Sequence, residues 1–137
     1  MPETIKTLCV DDEANVLKAL RRTFMDEENY QVYLAQSGAE GLDILESVEG
    51  IAIVISDYRM PGMTGVEFLR QVYERWPDTV RIVLSGYADT SVVVEAVKLG
   101  HIYKFISKPW DDKELLTNIS VALDQQKLRR ENSFVNF

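Results

Sequence analysis

The chain holds one cysteine, Cys9, and one histidine, His101. A lone thiol allows no intrachain disulfide, which points to a reducing compartment. His101 has no second soft ligand beside it, so an exposed loop histidine is expected. Basic charge is also short, with 15 Lys and Arg against 22 Asp and Glu, a net charge of −7. Phosphate backbones are bound by clustered cations, so no direct nucleic-acid contact is expected. No apolar run approaches the ~20 residues of a membrane-spanning helix. The start, Met1-Pro2-Glu3-Thr4-Ile5-Lys6, lacks the basic and apolar regions of a secretory signal. The expected setting is cytoplasmic and soluble, with no membrane partner. Internal repeats and low-complexity segments are absent.

What is present is a set of four strongly apolar runs. Ile5–Val10 ends at Asp11-Asp12, and Ile51–Ser56 ends at Asp57. Val80–Leu84 ends at Ser85-Gly86, and Tyr103–Ser107 ends at Lys108-Pro109. Runs of this kind read as strands buried on both faces, as in a parallel sheet. Tyr30–Ala35 is shorter and more polar, which suits an edge strand.

Helical patterns alternate with the strands. Val16, Leu17, Leu20 and Phe24 form one stripe, and Leu42 and Leu45 point inward on the next helix, closed by Gly50. Thr64 with Glu67 predicts a capping box for a helix reaching Trp76, stopped by Pro77. Asp89 or Thr90 caps a fourth helix that Gly100 ends. Asp111 or Asp112 caps a fifth, with Leu115, Ile119 and Leu123 inward. Strict alternation over 137 residues predicts one α/β domain. A doubly wound five-stranded parallel sheet, order 2-1-3-4-5, is expected, with helices in two outer layers.

That order brings the polar strand ends to one edge, where an open parallel sheet carries its site. Asp11, Asp12 and Asp57 would lie together, and clustered carboxylates raise one another's pKa unless a cation neutralises them. An all-oxygen ligand set favours magnesium over zinc. A carboxylate beside a cation and the Lys108 ammonium can act as a nucleophile toward phosphorus. Ser85 supplies a hydroxyl donor.

In Val10-Asp11-Asp12-Glu13, Asp57 with Met60-Pro61-Gly62-Met63-Thr64-Gly65, Ser85-Gly86 and Lys108-Pro109-Trp110, the chain resembles the CheY-like receiver domains of two-component response regulators. The resemblance runs from about Ile5 to Leu123. It implies a flavodoxin-like three-layer (βα)5 fold over residues 4–125, with 126–137 a helical extension or linker toward an effector domain. It implies that Asp57 is the phosphoacceptor and that Asp11, Asp12, Asp57 and the Arg59 backbone carbonyl hold Mg2+, Asp11 through water. Lys108 would contact the phosphoryl group, and Ser85 and Phe105 would form the switch. Phe105 stands where the family often has Tyr, so switching is expected to rest on packing, with Tyr103 pointing the same way in the strand. Bulky Arg59 and Tyr87 flank the water path, so slow loss of phosphate is expected. The implied partners are a sensor histidine kinase or phosphotransfer protein, and an effector reached through the face of the fourth helix, fifth strand and fifth helix. A homodimer through that face is left open.

Such a domain is a phosphoacceptor rather than an enzyme. A haloacid-dehalogenase-type phosphohydrolase would want a second Asp at position 59, where Arg59 stands. A flavodoxin-like cofactor binder would need a phosphate cradle after the first strand, where Asp11-Asp12-Glu13 repels phosphate. A receiver acting without phosphorylation, as an interaction module, is the third alternative. Cys9 is expected to be a small core residue, Trp76 and Trp110 packing residues, and Lys127–Arg130 a solvated helix end. Ser133–Phe137 is expected to fray.

Overall fold

The computed structural model describes residues 4–86, 90–99 and 101–135. The apolar runs become strands β1 (Ile5–Val10), β3 (Ile51–Asp57), β4 (Val80–Ser85) and β5 (Lys104–Ser107), with Tyr30–Ala35 as β2. They pair in parallel in the order β2-β1-β3-β4-β5. Between them lie α1 (Ala14–Thr23), α2 (Gly38–Ser47), α3 (Gly65–Arg75), α4 (Thr90–Lys98) and α5 (Asp112–Val135).

Side chains alternate across the sheet, and helices cover both faces, so both sets of residues are buried. On one face Leu8, Val10, Val54 and Val83 pack with Leu45 of α2, Phe68, Leu69 and Val72 of α3, and Val93 and Ala96 of α4. On the other, Cys9, Ile53, Ile55, Ile82 and Leu84 pack with Leu17 and Leu20 of α1 and Leu115 and Ile119 of α5. Each fully buried Leu or Ile contributes about 1.5–3 kcal/mol of transfer free energy. The expected stripes on α1, α2 and α5 all face these cores.

Local signals set the element ends. Thr64 Oγ1 accepts from Glu67 N–H at 3.1 Å, and a Glu67 carboxylate oxygen accepts from Thr64 N–H at 3.4 Å, the predicted capping box. Asp111 Oδ2 accepts from Glu114 N–H at 2.9 Å, making Asp111 the cap of α5. Gly50 and Gly62 have positive φ, +78° and +84°, in the turns before β3 and α3. The expected cap of α4 at Asp89 or Thr90 and its terminal Gly100 lie outside the described residues or side chains.

Three expectations need correction. Tyr103 precedes β5 and packs on the α1–α5 side, whereas Phe105 packs on the α4 side. Period-2 alternation fails there because Tyr103 sits in a bend, its N–H bonded to Arg81 O at 2.8 Å. Ser133 to Val135, expected to fray, are helical, since α5 runs through Val135; the last two residues of that expectation lie outside the described residues. No Gly or Pro follows Pro109, and Gln125 to Glu131 are good helix formers. His101 is half-buried, with its ring 5.1 Å from that of Tyr73.

Candidate functional site

The sheet register brings the polar strand ends together. Val10 pairs with Ser56, Asp57 with Leu84, and Ser85 with Ser107. The residues that follow or end these strands therefore share one edge. Asp11 is fully buried and Asp57 is 7% exposed, while Asp12 is exposed. One oxygen from each of the three carboxylates lies within 4.8 Å of the others.

Lys108 closes the cluster. Its Nζ donates to Asp57 Oδ1 at 2.7 Å and to Asp11 Oδ2 at 3.1 Å. Asp11 Oδ1 accepts from Glu13 N–H at 2.8 Å, so this buried carboxylate is satisfied on both oxygens. The same bond stands in for a side-chain cap at the start of α1, where Glu13 provides none. Asp11 therefore does some of the work of a helix cap as well as facing the site.

The electrostatics follow from one ammonium facing three carboxylates. Burial raises the Asp57 carboxyl above the ordinary aspartate range, and the charges of Asp11 and Asp12 push the same way. The hydrogen bond from Lys108 opposes them without cancelling them. Burial lowers the Lys108 ammonium, but the Asp57 hydrogen bond and the charges of Asp11 and Asp57 outweigh it, leaving it above the ordinary lysine range. A hard cation would relieve the remaining repulsion. Asp11, Asp12 and Asp57 offer oxygen only, which fits magnesium.

The loop after β3 is folded back against the nucleophile candidate. Tyr58 N–H bonds to Leu84 O at 3.0 Å, and Gly65 N–H to Tyr58 O at 2.7 Å. A Cβ at Gly65 would collide with the Asp57 carbonyl oxygen and lie 2.9 Å from its carbon and 3.0 Å from Tyr58 Cα. The first residue of α3 thus sits directly on the Asp57 backbone. Sequence reading noted Gly65 only as part of a motif; the signal was a glycine immediately after a helix cap.

Ser85 is 3% exposed, and its Oγ donates to Gly86 O at 2.7 Å. Its carbonyl accepts from Lys108 N–H at 3.1 Å, tying the two strand ends together. The Lys108–Pro109 peptide bond is cis. Phe105 is half-buried against the α4-side core. Arg59 is exposed on the loop after Asp57, and its side chain is engaged. Tyr87 lies outside the described residues. Cys9 is wholly buried and its thiol is pushed up to about 12 by burial, as a core residue requires.

Two features escaped sequence reading. Arg81 sits inside an apolar run, yet the residue is only 8% exposed, and its guanidinium lies 4.9 Å over the Tyr73 ring. It donates to His101 O at 2.8 Å, Pro77 O at 3.2 Å and Thr79 O at 2.6 Å. Burial lowers its pKa, and these carbonyls satisfy its donors. The second is a cluster of Thr23, Trp110 and Asp112 beside the Lys108 loop.

Among the described residues, no helix is long and apolar enough to cross a membrane. The family profile of the response regulator receiver domain matches residues 7–120. The chain is 43% identical over 122 residues, 89% of its length, to the hydrogenase transcriptional regulatory protein HoxA of Cupriavidus necator. It is 34% identical over 127 residues, 93% of its length, to the C4-dicarboxylate transport transcriptional regulatory protein DctD of Pseudomonas aeruginosa. It spans 25% and 27% of those two proteins. Among solved structures, it is similar to the signal receiver domain of an HD domain-containing protein from Pseudomonas fluorescens. That match has a TM-score of 0.84 at 33% identity, covering 91% of this chain and 98% of the other. The fold, the convergent strand ends and these relatives agree, and the chain belongs to the response regulator receiver domain family.

Proposed function

We propose that Asp57 is the phosphoacceptor of a signalling switch and that Lys108 is the cation that meets the incoming phosphoryl group. The observation that carries this reading is the Lys108 ammonium held between Asp57 and Asp11 at the edge where three carboxylates converge. A family member of this kind is a signalling module rather than a metabolic enzyme.

In the transfer, an Asp57 carboxylate oxygen attacks phosphorus in line. The new O–P bond forms as the bond to the donor breaks. The donor is a phosphohistidine or a small acyl phosphate, and its imidazole or carboxylate leaves with the electron pair. Most of the rate comes from positioning and charge rather than covalent chemistry. Lys108 already touches Asp57 Oδ1 at 2.7 Å and can shift its donors onto the phosphoryl oxygens. Asp11, Asp12, Asp57 and the Arg59 carbonyl would hold magnesium, which would supply positive charge opposite those same oxygens.

The product is an acyl phosphate, and the Ser85 hydroxyl turns from the Gly86 carbonyl to a phosphoryl oxygen. Phe105 follows inward, on packing alone, and the α4–β5–α5 face changes. That face controls an effector or a partner protein. Residues 4–125 form the switch, and 126–137 are an extension or linker toward an effector domain. A sensor histidine kinase or phosphotransfer protein supplies the phosphoryl group.

The test is incubation with acetyl phosphate and magnesium, read by intact mass. One added phosphoryl group on wild type and none on Asp57→Asn supports the reading. Uptake by Asp57→Asn at the wild-type level would refute it. Light scattering on the same samples reports any change of oligomeric state.

A further inference from the structure

We propose that Thr23, Trp110 and Asp112 form a latch that positions Lys108, joining the end of α1 to the loop that carries the ammonium. The proposal rests on Lys108 being the group that meets the phosphoryl oxygens.

The geometry is a closed triangle. Thr23 Oγ1 donates to Asp112 Oδ1 at 2.6 Å. Trp110 Nε1 lies 3.1 Å from Thr23 Oγ1 and 3.1 Å from Asp112 Oδ1, a shared donor to both oxygens. The hydroxyl is also 3.1 Å from Ala19 O, but its one proton belongs with the nearer, charged acceptor. Thr23 is 6% exposed, so its hydroxyl needs these partners. The three residues come from three places in the chain: the last residue of α1, the loop after β5, and the first residue of α5.

The latch bears on Lys108 because little backbone freedom lies between them. Lys108 N–H is held by Ser85 O at 3.1 Å on one side. Trp110 is held by the triangle on the other, and half-buried against the α1–α5 core. Only Pro109 separates them, and its ring fixes φ. The lysine stem itself is flexible, with four rotatable carbons. The place of the ammonium therefore depends on where the backbone launches it. A misplacement of about 1 Å can cost up to about a hundredfold in rate. The helix on the far side of the latch is the one that opens directly after Asp11 and Asp12. The triangle thus fixes the ammonium loop to the element that follows two of the three carboxylates it must face.

The experiment measures phosphorylation by acetyl phosphate with magnesium for wild type, Thr23→Val and Thr23→Ser, well below each protein's melting temperature. Val keeps the shape and removes Oγ1, while Ser keeps the hydroxyl. The expected result is a maximal rate about tenfold lower for Thr23→Val, with half-saturating acetyl phosphate within about twofold of wild type and Thr23→Ser close to wild type. Trp110→Phe, which loses only the N–H among its polar atoms, is expected to match Thr23→Val. An unchanged maximal rate in Thr23→Val overturns the latch, even if its melting temperature falls, because a merely structural contact would lower stability alone. A loss in Thr23→Ser equal to that in Thr23→Val overturns it as well. Wild type that takes up no phosphoryl group overturns the underlying reading of Asp57 and Lys108, and the latch with it.

Discussion

Replacing Gly65 with Ala tests how rigidly α3 is seated on the nucleophile. The added Cβ would meet the Asp57 carbonyl oxygen and carbon and Tyr58 Cα, all of them backbone. No side chain can swing aside, so the end of β3 and the start of α3 must separate. Overpacking typically costs about 1–3 kcal/mol when neighbours can adjust, and backbone obstruction belongs at the upper end. Better helix propensity of Ala returns roughly 0.5–1 kcal/mol, which leaves a net loss near ~2 kcal/mol. For a domain of this size that lowers the melting temperature by roughly 5–10 °C. The bond from Gly65 N–H to Tyr58 O, 2.7 Å in the structure, would lengthen or break. Thermal and urea unfolding of Gly65→Ala read the loss directly. Gly86→Ala is the control: a Cβ there meets nothing within 4 Å, and its φ is not positive, so stability should stay within about 0.5 kcal/mol. Equal stability of Gly65→Ala and wild type would refute the claimed contact.

Further outcomes follow from the site. Lys108→Gln should slow phosphorylation by acetyl phosphate about a hundredfold, in line with the loss of one preorganised donor to developing charge; a rate within twofold of wild type, roughly, would remove Lys108 from the transfer. Without divalent cation, the Asp57 carboxyl carbon should titrate by NMR above the ordinary aspartate range, because burial and the charges of Asp11 and Asp12 raise it. Since the folded-state pKa is raised, ionised Asp57 lowers stability above that pKa. The penalty fades as pH falls through it and is gone below the unfolded value. Phosphorylation should decline over the same fall in pH as the nucleophile is protonated, and an ordinary or depressed titration midpoint would contradict both expectations. Phe105→Ala should accept phosphate yet leave amide shifts on α4 and α5 little changed by it, whereas shifts equal to those of wild type would show that Phe105 does not carry the switch.

The strands and most of the site were legible because both rest on local pattern. Ile53, Val54 and Ile55 are apolar in succession because helices cover both faces of β3, and the polar residues that end such runs necessarily share an edge. Asp57 and Lys108 are 51 positions apart, yet the order of parallel strands puts both at one edge of the sheet, and the long lysine stem lets them meet at 2.7 Å. What was not legible depends on partners remote in sequence or on backbone detail. Arg81 lies within an apolar run, and its burial is explained only by three carbonyls and the Tyr73 ring. Thr23 gives no sign that it meets Asp112, 89 residues away. Tyr103 was assigned to the wrong side because alternation was extended one residue beyond the start of β5. The last turn of α5 was not legible because the apolar pattern of the sequence weakens after Leu123, although the helix runs on to Val135.

The most direct test of the central claim is to locate the phosphoryl group itself. Wild-type protein is treated with acetyl phosphate and magnesium, then with borohydride, which reduces an aspartyl phosphate to homoserine. Peptide mapping by mass spectrometry then identifies the altered residue. Homoserine at position 57, lost when Lys108→Gln is treated for the same time, is the predicted result. Homoserine at position 11 or 12, or a stable phosphoryl group on any hydroxyl with position 57 unaltered, would contradict it.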